Sequence, residues 1–396
     1  MSNLEEKNIN FDEVIDRKNT DSLKFDFAVQ RGMPEDVLPL WVADMDFKTS
    51  SLVLDEINKR VNHGIFGYSD TGVKYFEAVS SWLKKHHNLE IEQDWIVKTP
   101  GIVFAIGMAI RAFTKEGEAV LIQQPVYYPF SGLIKSNNRK LISSDLVLAE
   151  DGKYHIDFDD FEKKIVENNV KLFLLCSPHN PVGRVWTKEE LKKVVEICIK
   201  YEVIIFSDEI HSDFIYDGYV HTPTVNVDSR VKDYCVTATS PAKTFNLAGL
   251  QVSNIIISNS KLRSVFEREI YASGYSQLNT LGLVACEAAY NYGEVWYTEL
   301  KKYLKGNLEF IREYLAKELP EIKLIEPEGT YLIWLDFRSL DLTEEEREDL
   351  IVNKAKLWLD SGAIFGKVGE GFERINIATN RSVIEEALSR IKSAIH

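Results

Sequence analysis

The chain has 396 residues, 45% of them hydrophobic and 27% charged, which is the composition of an ordinary soluble globular protein. Its formal net charge of −14 disfavours binding to nucleic acids and to anionic membrane surfaces. No apolar run approaches the roughly 18 residues of a membrane-spanning helix, and the polar N-terminus has no apolar signal core. We therefore expect a cytoplasmic protein, long enough for two domains.

The four cysteines are widely spaced, without a CxxC pair or a Cys/His cluster. This spacing argues against a zinc site or a disulfide framework, and it fits a reducing compartment. No metal is expected. The cysteines are Cys176, Cys198, Cys235 and Cys286.

Strand-like and helical patterns alternate from about residue 95 to residue 258. The runs LFLLC (172–176) and VIIF (203–206) are continuously apolar, as strands buried on both faces should be. Between them, Thr187 and Glu190 form a candidate capping box. Apolar residues then follow at helical spacing: Leu191, Val194, Val195 and Cys198. Repeated units of this kind predict an α/β fold, with a largely parallel sheet covered by helices.

The C-terminal part has a different pattern. It contains helical stretches, the strand-like segments TYLIWLDF (330–337) and RINIA (374–378), and a final helix from about Ser382. This mixture predicts a smaller α+β domain. Three regions are expected: an N-terminal segment that packs with the small domain (1–45), a large domain (46–290) and the small domain (291–396).

Three segments place an amide, a carboxylate and an amine on or just beyond successive predicted strands. They are SPHNPVGR around Asn180, SDEIHSDF around Asp208 and TSPAKTFNLAGL around Lys243. In open α/β sheets, residues beyond the carboxyl ends of strands gather at one site. An amine for a Schiff base, a carboxylate for a pyridine nitrogen and an amide for a ring hydroxyl are what pyridoxal 5′-phosphate (PLP) needs. Together the segments predict a PLP enzyme.

Each of these segments has a simpler interpretation when it is taken alone. The run DEIHSD could be a solvated acidic loop, and Asn180-Pro181-x-Gly183 is typical of a turn. However, a carboxylate directly after four buried apolar residues needs a partner, and a protonated pyridine nitrogen would be one. Lys243 lies among apolar and small residues, which is compatible with the lowered pKa of a reactive lysine. A rigid turn would also fix the Asn180 amide, so those two interpretations are compatible.

The phosphate of PLP needs backbone N–H donors, which the N-terminus of a helix provides. Gly101, Ile102 and Val103 begin an apolar helical pattern directly after the strand-like run WIVKT. The hydroxyl of Ser240 could add another donor. The alternative is an ordinary helix start.

Two further residues are candidates for contacts with the ring and the substrate. Tyr127 follows the strand-like run VLIQ and could stack on the pyridine face, or pack in the core. Arg374 is a charge on an otherwise apolar strand. It could clamp a substrate carboxylate through two hydrogen bonds, or form a surface salt bridge.

With these motifs, the chain resembles the fold-type I PLP enzymes (the aspartate aminotransferase superfamily) over nearly its whole length. Within them it is most similar to the bacterial cystathionine β-lyase/C–S lyase group, which includes the maltose-regulon modulator type. The finer resemblance rests on these motifs: WVADMDF (41–47), FGYSD (66–70), SPHNPVGRVW, SDEIHSDF, the Lys243 segment and EGTYLIWLDF (328–337).

The resemblance implies a role for each candidate residue. Lys243 is implied as the Schiff-base lysine and catalytic residue. The implied cofactor contacts are Asp208, Asn180, Tyr127, His211, Ser240, Gly101, Ile102 and Val103. The implied substrate contacts are Arg374, Asn180, Ala43 and Tyr331. Tyr68 is implied to reach the phosphate of the neighbouring subunit, which predicts a homodimer with shared active sites.

Two positions depart from the aspartate aminotransferases. Those enzymes have a tyrosine three positions after the pyridine-binding aspartate, where this chain has His211. They also have an arginine on the phosphate eight positions after the lysine, where this chain has Gln251. Both departures argue against aspartate transamination, and the lyase group tolerates them.

The resemblance therefore implies a PLP-dependent C–S β-lyase acting on an amino acid with sulfur on Cβ. Such an enzyme releases a thiol, pyruvate and ammonia, and cystathionine, cysteine and cystine are the candidate substrates. One alternative is a class I/II aminotransferase, because the same motifs serve both reactions. Another is a bifunctional lyase that also binds a transcriptional regulator.

Overall fold

The computed structural model describes Glu6 and residues 9–396. Residues 1–5, 7 and 8, which begin the predicted N-terminal segment, lie outside the described residues. The strands are β1 Leu38–Pro39, β2 Ile96–Thr99, β3 Ala119–Ile122, β4 Lys140–Ser143, β5 Val147–Leu148, β6 Tyr154–His155, β7 Leu172–Cys176, β8 Ile204–Asp208, β9 Cys235–Thr239, β10 Ser253–Ile256, β11 Lys323–Ile325, β12 Leu332–Asp336, β13 Leu357–Trp358, β14 Asp360–Ser361 and β15 Phe372–Asn376.

The α-helices alternate with the strands along much of the chain. They are α1 Ser51–His63, α2 Val73–His87, α3 Ile102–Phe113, α4 Pro129–Ser136, α5 Phe158–Asn168, α6 Lys188–Lys200, α7 Pro241–Thr244, α8 Ser260–Ala272, α9 Thr280–Tyr292, α10 Glu294–Glu318, α11 Glu344–Glu348 and α12 Arg381–Ile395. In the part of the chain that the structure describes, none of the helices has the length and apolar character needed to cross a membrane.

A seven-stranded sheet forms the centre of the larger part of the molecule. Its strand order is β2-β10-β9-β8-β7-β3-β4. The strands from β9 to β4 are parallel, and β10 runs antiparallel to both of its neighbours. The predicted α/β fold with a largely parallel sheet covered by helices is confirmed.

The central strands form because their residues are apolar on both faces. All five residues of β7 are buried, and alternate side chains enter different cores. Leu172 and Leu174 join one core cluster, whereas Phe173 and Leu175 join the other. The predicted capping box at the start of α6 is also confirmed, with the Glu190 N–H donating to the Thr187 hydroxyl at 3.1 Å.

The C-terminal part has its own sheet, with antiparallel order β11-β12-β15-β14. Both predicted strands are present, with shifted ends. The strand predicted from residue 330 begins two residues later, because Thr330 has a φ of +70° in the left-handed region. The final helix begins at Arg381, close to the prediction. In the N-terminal segment, β1 pairs in parallel with β13.

The carboxyl ends of five strands lie along one edge of the large sheet. At this edge, β2 is followed by Gly101, β3 by Tyr127, β7 by Asn180, and β9 by Ser240 and Lys243. Asp208 is the last residue of β8. This topology brings side chains that are far apart in sequence to one place, as expected for open α/β sheets.

Candidate active site

A cavity of about 350 Å³ opens at this edge of the sheet. It brings together most of the residues that the sequence singled out: Ala43, Gly101, Ile102, Val103, Tyr127, Asn180, Asp208, His211, Ser240, Lys243 and Arg374. Tyr68 and Tyr331 are not among its lining residues. The volume suits a small cofactor together with a small substrate.

Lys243 projects from the short helix α7, which the Ser240 side chain caps by accepting the Ala242 N–H. Its Nζ donates a hydrogen bond of 2.7 Å to the carbonyl oxygen of Ala43. Burial lowers the pKa of Lys243 to about 8; the Arg374 charge acts in the same direction, while Asp44 and Asp208 oppose it. About half of this amine is therefore uncharged near pH 8, and a nucleophile or base requires that form.

Asp208 has a buried carboxylate at the end of β8 that accepts the Ile210 N–H at 3.2 Å. The other polar side chains of this segment are buried as well, so the solvated-loop interpretation is wrong. Among the described residues, no lysine, arginine or histidine forms an ion pair with Asp208. Burial raises the pKa of Asp208 to about 7. A buried carboxylate facing a cavity without a cationic partner fits a ligand that supplies a positive charge.

His211 lies three residues beyond Asp208 and also lines the cavity. Its Nδ1 is buried and has no hydrogen-bond partner among the described residues. Burial lowers the pKa of His211 to about 3, and the charges of Lys243 and Arg374 act in the same direction. The imidazole is thus neutral where it lines the cavity.

Arg374 is buried and holds two other site residues. Its guanidinium donates to Asn180 Oδ1 at 3.0 Å and to the Trp41 carbonyl at 2.8 Å. It also forms an ion pair with Asp360, so the salt bridge considered from the sequence exists but is buried. Its Nε is buried without a partner. Arg374 also lines the cavity, where its guanidinium can bind a carboxylate.

Sequence reasoning missed Asp360. The residue belongs to the two-residue strand β14 and lies directly opposite Arg374 in the antiparallel pairing with β15. A strand this short has no recognisable periodicity. The repeat of two along β15, however, could have indicated Asn376 as a second polar residue on the same face as Arg374.

The predicted phosphate end lies where β2 turns into α3. Gly101 is the N-cap of that helix and has a φ of +111°, a conformation that favours glycine. The first-turn N–H groups, which include those of Ile102 and Val103, have no partner inside a helix and are suited to an anion. The Ser240 hydroxyl also reaches the cavity, but it donates its proton to the Val252 carbonyl at 2.7 Å.

The three tyrosines occupy different positions. Tyr127 lines the cavity and also packs edge-on against Phe130, at 6.0 Å between ring centroids, so it has features of both interpretations. Tyr331 is buried behind the cavity, and its hydroxyl donates to the Ala43 carbonyl at 3.0 Å. Tyr68 is 98% exposed on the connection between α1 and α2. Its role at a neighbouring subunit remains a prediction.

The residues present fit PLP. The cavity offers an amine of lowered pKa, a buried carboxylate without a cation, an amide and the N-terminus of a helix, which is the donor set that this cofactor requires. Within the described residues, no group of three or more His, Cys, Asp or Glu side chains is arranged to hold a metal ion.

Comparison with known proteins gives full-length matches. The cystathionine β-lyase PatB of Bacillus subtilis is 40% identical over 387 residues, which cover 98% of this chain and all of that protein. The protein MalY of Escherichia coli is 32% identical, with 97% of this chain and 98% of that protein covered. The crystal structure of cystalysin from Treponema denticola, which contains PLP, superposes with a TM-score of 0.94 and 41% identity over 98% of both chains.

The family profile described as "Aminotransferase class I and II" matches residues 35–391, which include all of the cavity-lining residues except Leu23. The strands and helices that carry the site lie within the matched range. The chain belongs to the aminotransferase class I and II family.

Proposed function

We propose that this protein is a PLP-dependent C–S β-lyase. It acts on an amino acid that carries sulfur on Cβ and releases a thiol, pyruvate and ammonia. The observation that carries the proposal is the half-buried amine of Lys243, of lowered pKa, in one cavity with Asp208 and Arg374. The choice of a lyase is supported by full-length relatives that are named cystathionine β-lyase.

The residues of the cavity divide the work of holding PLP. Lys243 would bond the aldehyde carbon, Asp208 would hold the pyridine nitrogen and Asn180 the ring oxygen, and Tyr127 would cover one face of the ring. The N-terminus of α3 would receive the phosphate. When bound, PLP withdraws electrons from the substrate Cα and so makes the Cα–H acidic.

The remaining steps use groups of the chain itself. Arg374 binds the substrate α-carboxylate and thereby fixes the orientation of Cα. The free amine of Lys243 takes the Cα proton as general base, and its lowered pKa raises the uncharged fraction that can do so. Buried His211 stays neutral, so it adds no positive charge that would attract the Asp208 carboxylate or repel the Arg374 guanidinium.

Amino transfer is the second candidate function, because the matching family profile is that of aminotransferases. It needs the same base and the same carboxylate site but a keto acid as second substrate.

A regulatory role is a further candidate. A pull-down in which a Lys243→Ala variant still binds a transcriptional regulator would support it. Absence of any partner would count against it.

We also propose a homodimer with shared active sites. Its support is the exposed connection between α1 and α2, on which Phe66 and Tyr68 present apolar and aromatic surface. Such surface on a soluble protein indicates a contact with another chain.

The cytoplasmic location is likewise proposed, supported by four buried free thiols. The proposed regions are 1–45, 46–290 and 291–396, and the β1–β13 pairing supports the first of them.

The experiment uses purified protein loaded with PLP and L-cystathionine as the sole substrate. Pyruvate formed without any keto acid, and lost in Lys243→Ala, is the expected result. Amino transfer that starts only when a keto acid is added would instead assign the second candidate. Failure of the protein to develop a visible absorbance band with PLP would overturn the cofactor.

A further inference from the structure

The segment of residues 41–47, here called the strap, lines the cavity with its first three residues and is held through its main-chain carbonyls. At one end, the side-chain amide of Asn376 donates to the carbonyls of Val42 and Asp44, at 2.6 Å each. Asn376 is completely buried and lies two residues after Arg374 on β15, so both side chains share one face. Arg374 itself holds the Trp41 carbonyl.

The other end of the strap is held by the turn that follows the lysine. Asn246, three residues after Lys243, donates to the carbonyls of Met45 and Phe47 at 2.9 Å each. Its Oδ1 accepts the Met45 N–H at 3.0 Å. Each asparagine thus bridges two carbonyls that are two residues apart.

The Asn376 bridge spans Ala43, whose carbonyl is the acceptor for the Lys243 amine at 2.7 Å. The strap is therefore bound by the strand of Arg374 on one side and by the turn of Lys243 on the other. It fixes the separation between the guanidinium that would take the substrate carboxylate and the amine that would take the Cα proton. A misplacement of about 1 Å at such a pair can cost roughly a hundredfold in rate.

We propose that Asn376 is a positioning residue for Lys243. It sets the Ala43 carbonyl, which orients the free amine by accepting one of its N–H groups and leaves the nitrogen lone pair for the substrate. The same carbonyl accepts a hydrogen bond from the ammonium group that forms when Lys243 takes the Cα proton. The inference rests on the proposed function only in the use of Lys243 as the base.

The chain supplies a matched control. Asn380, four residues further on, also donates to two carbonyls two residues apart, those of Phe11 and Glu13, at 2.6 and 3.1 Å. It is also buried but holds the N-terminal segment instead of the strap. Truncating Asn376 or Asn380 removes the same chemical group, and only the first change releases the carbonyls that flank Ala43.

The test measures exchange of the Cα proton of L-alanine for deuterium by the PLP-loaded enzyme, followed by proton NMR. L-Alanine has no leaving group on Cβ, so the assay reports the base independently of C–S cleavage. Asn376→Ala is expected to slow exchange at saturating L-alanine at least about tenfold, since a positioned base contributes on the order of a hundredfold or more. Asn380→Ala is expected to stay within about twofold of the unmodified enzyme, because the strap keeps its geometry.

Equal rates for Asn376→Ala and the unmodified enzyme would overturn the inference, as would an equal loss in Asn380→Ala. If Asn376→Ala does not fold, Asn376→Ser is compared with Asn380→Ser; failure of both Asn376 variants to fold would assign the residue to stability alone and overturn its role. Exchange by the unmodified enzyme without pyruvate from L-cystathionine would contradict the proposed function only. Absence of exchange by the unmodified enzyme would overturn the base and this inference together.

Discussion

Burial acts in opposite directions on the two reactive groups of the site. It raises the pKa of the Asp208 carboxyl to about 7 and lowers the pKa of the Lys243 amine to about 8. In both residues the protein disfavours the charged form. The cavity therefore contains a base, the Lys243 amine, and a carboxyl without a cationic partner, that of Asp208. The two side chains are therefore prepared for a ligand at some cost in stability.

Asp208→Asn should separate activity from stability. Because the folded pKa of Asp208 lies above its ordinary value of 3.8, its ionised form destabilises the fold, fully above pH 7 and not at all well below pH 4. Near pH 8, the PLP-free variant should therefore have a higher melting temperature than the parent. Its free energy of unfolding should be higher by on the order of a few kcal/mol, because each pKa unit corresponds to about 1.4 kcal/mol. Lyase activity should fall at least about a hundredfold. A variant less stable than its parent at this pH would contradict the assignment.

The lowered pKa of Lys243 predicts that PLP capture depends on pH. Only the uncharged amine can bond the PLP aldehyde, so the rate at which PLP-free protein captures PLP should rise as the pH passes through about 8. Stopped-flow absorbance at several pH values measures this rate. Lys243→Ala serves as the control and should show no such capture at any pH. A rate independent of pH over this range would show that the amine is not the group that titrates.

Close packing positions the turn that follows Lys243 against helix α9. A Cβ added to Gly282 would lie 2.5 Å from the carbonyl oxygen of Leu250, and the next residue, Gln251, lines the cavity. The Asn279 side chain already bridges this contact by donating to the same oxygen at 2.6 Å. The close contact prevents α9 and the turn at Leu250 from moving closer, and the Asn279 hydrogen bond holds them together.

Gly282→Ala should lower both the melting temperature and PLP retention, because overpacking against backbone costs about 1–3 kcal/mol. The matched change is Gly107→Ala in α3, where the added methyl would meet only a Leu133 side-chain atom at an ordinary 3.8 Å. That variant should be neutral or more stable, since alanine is the better helix former by about 1 kcal/mol. Similar melting temperatures for the two variants would contradict this packing argument.

Local patterns predicted the elements well, and long-range contacts escaped prediction. The bounds of β7 and the capping box of α6 follow from neighbouring residues alone, so the sequence was sufficient for them. The pairing of Asp360 with Arg374 depends on the register of a two-residue strand. The bridges made by Asn376 end on main-chain carbonyls, which every residue has. Acceptors of that kind leave no mark in a sequence.

For the molecule as a whole, the proposed dimer predicts complementation between two defective chains. Lys243→Ala removes the amine of its own site, whereas Tyr68→Ala would damage the site of the neighbouring subunit. A mixed dimer then contains one complete site, so equal mixing with subunit exchange should recover about a quarter of full activity. Activity measured before and after co-refolding tests this. No recovery, or full activity of Tyr68→Ala alone, would contradict shared sites.

Cleavage of the Cβ–S bond can be tested by a mass balance of its products. PLP-loaded enzyme is given L-cystathionine without a keto acid, and pyruvate, ammonia and the released thiol are quantified in the same sample. β-Elimination predicts the three products in equal amounts, with none formed by Lys243→Ala. No thiol release, with amino transfer appearing once a keto acid is supplied, would contradict the lyase and identify an aminotransferase.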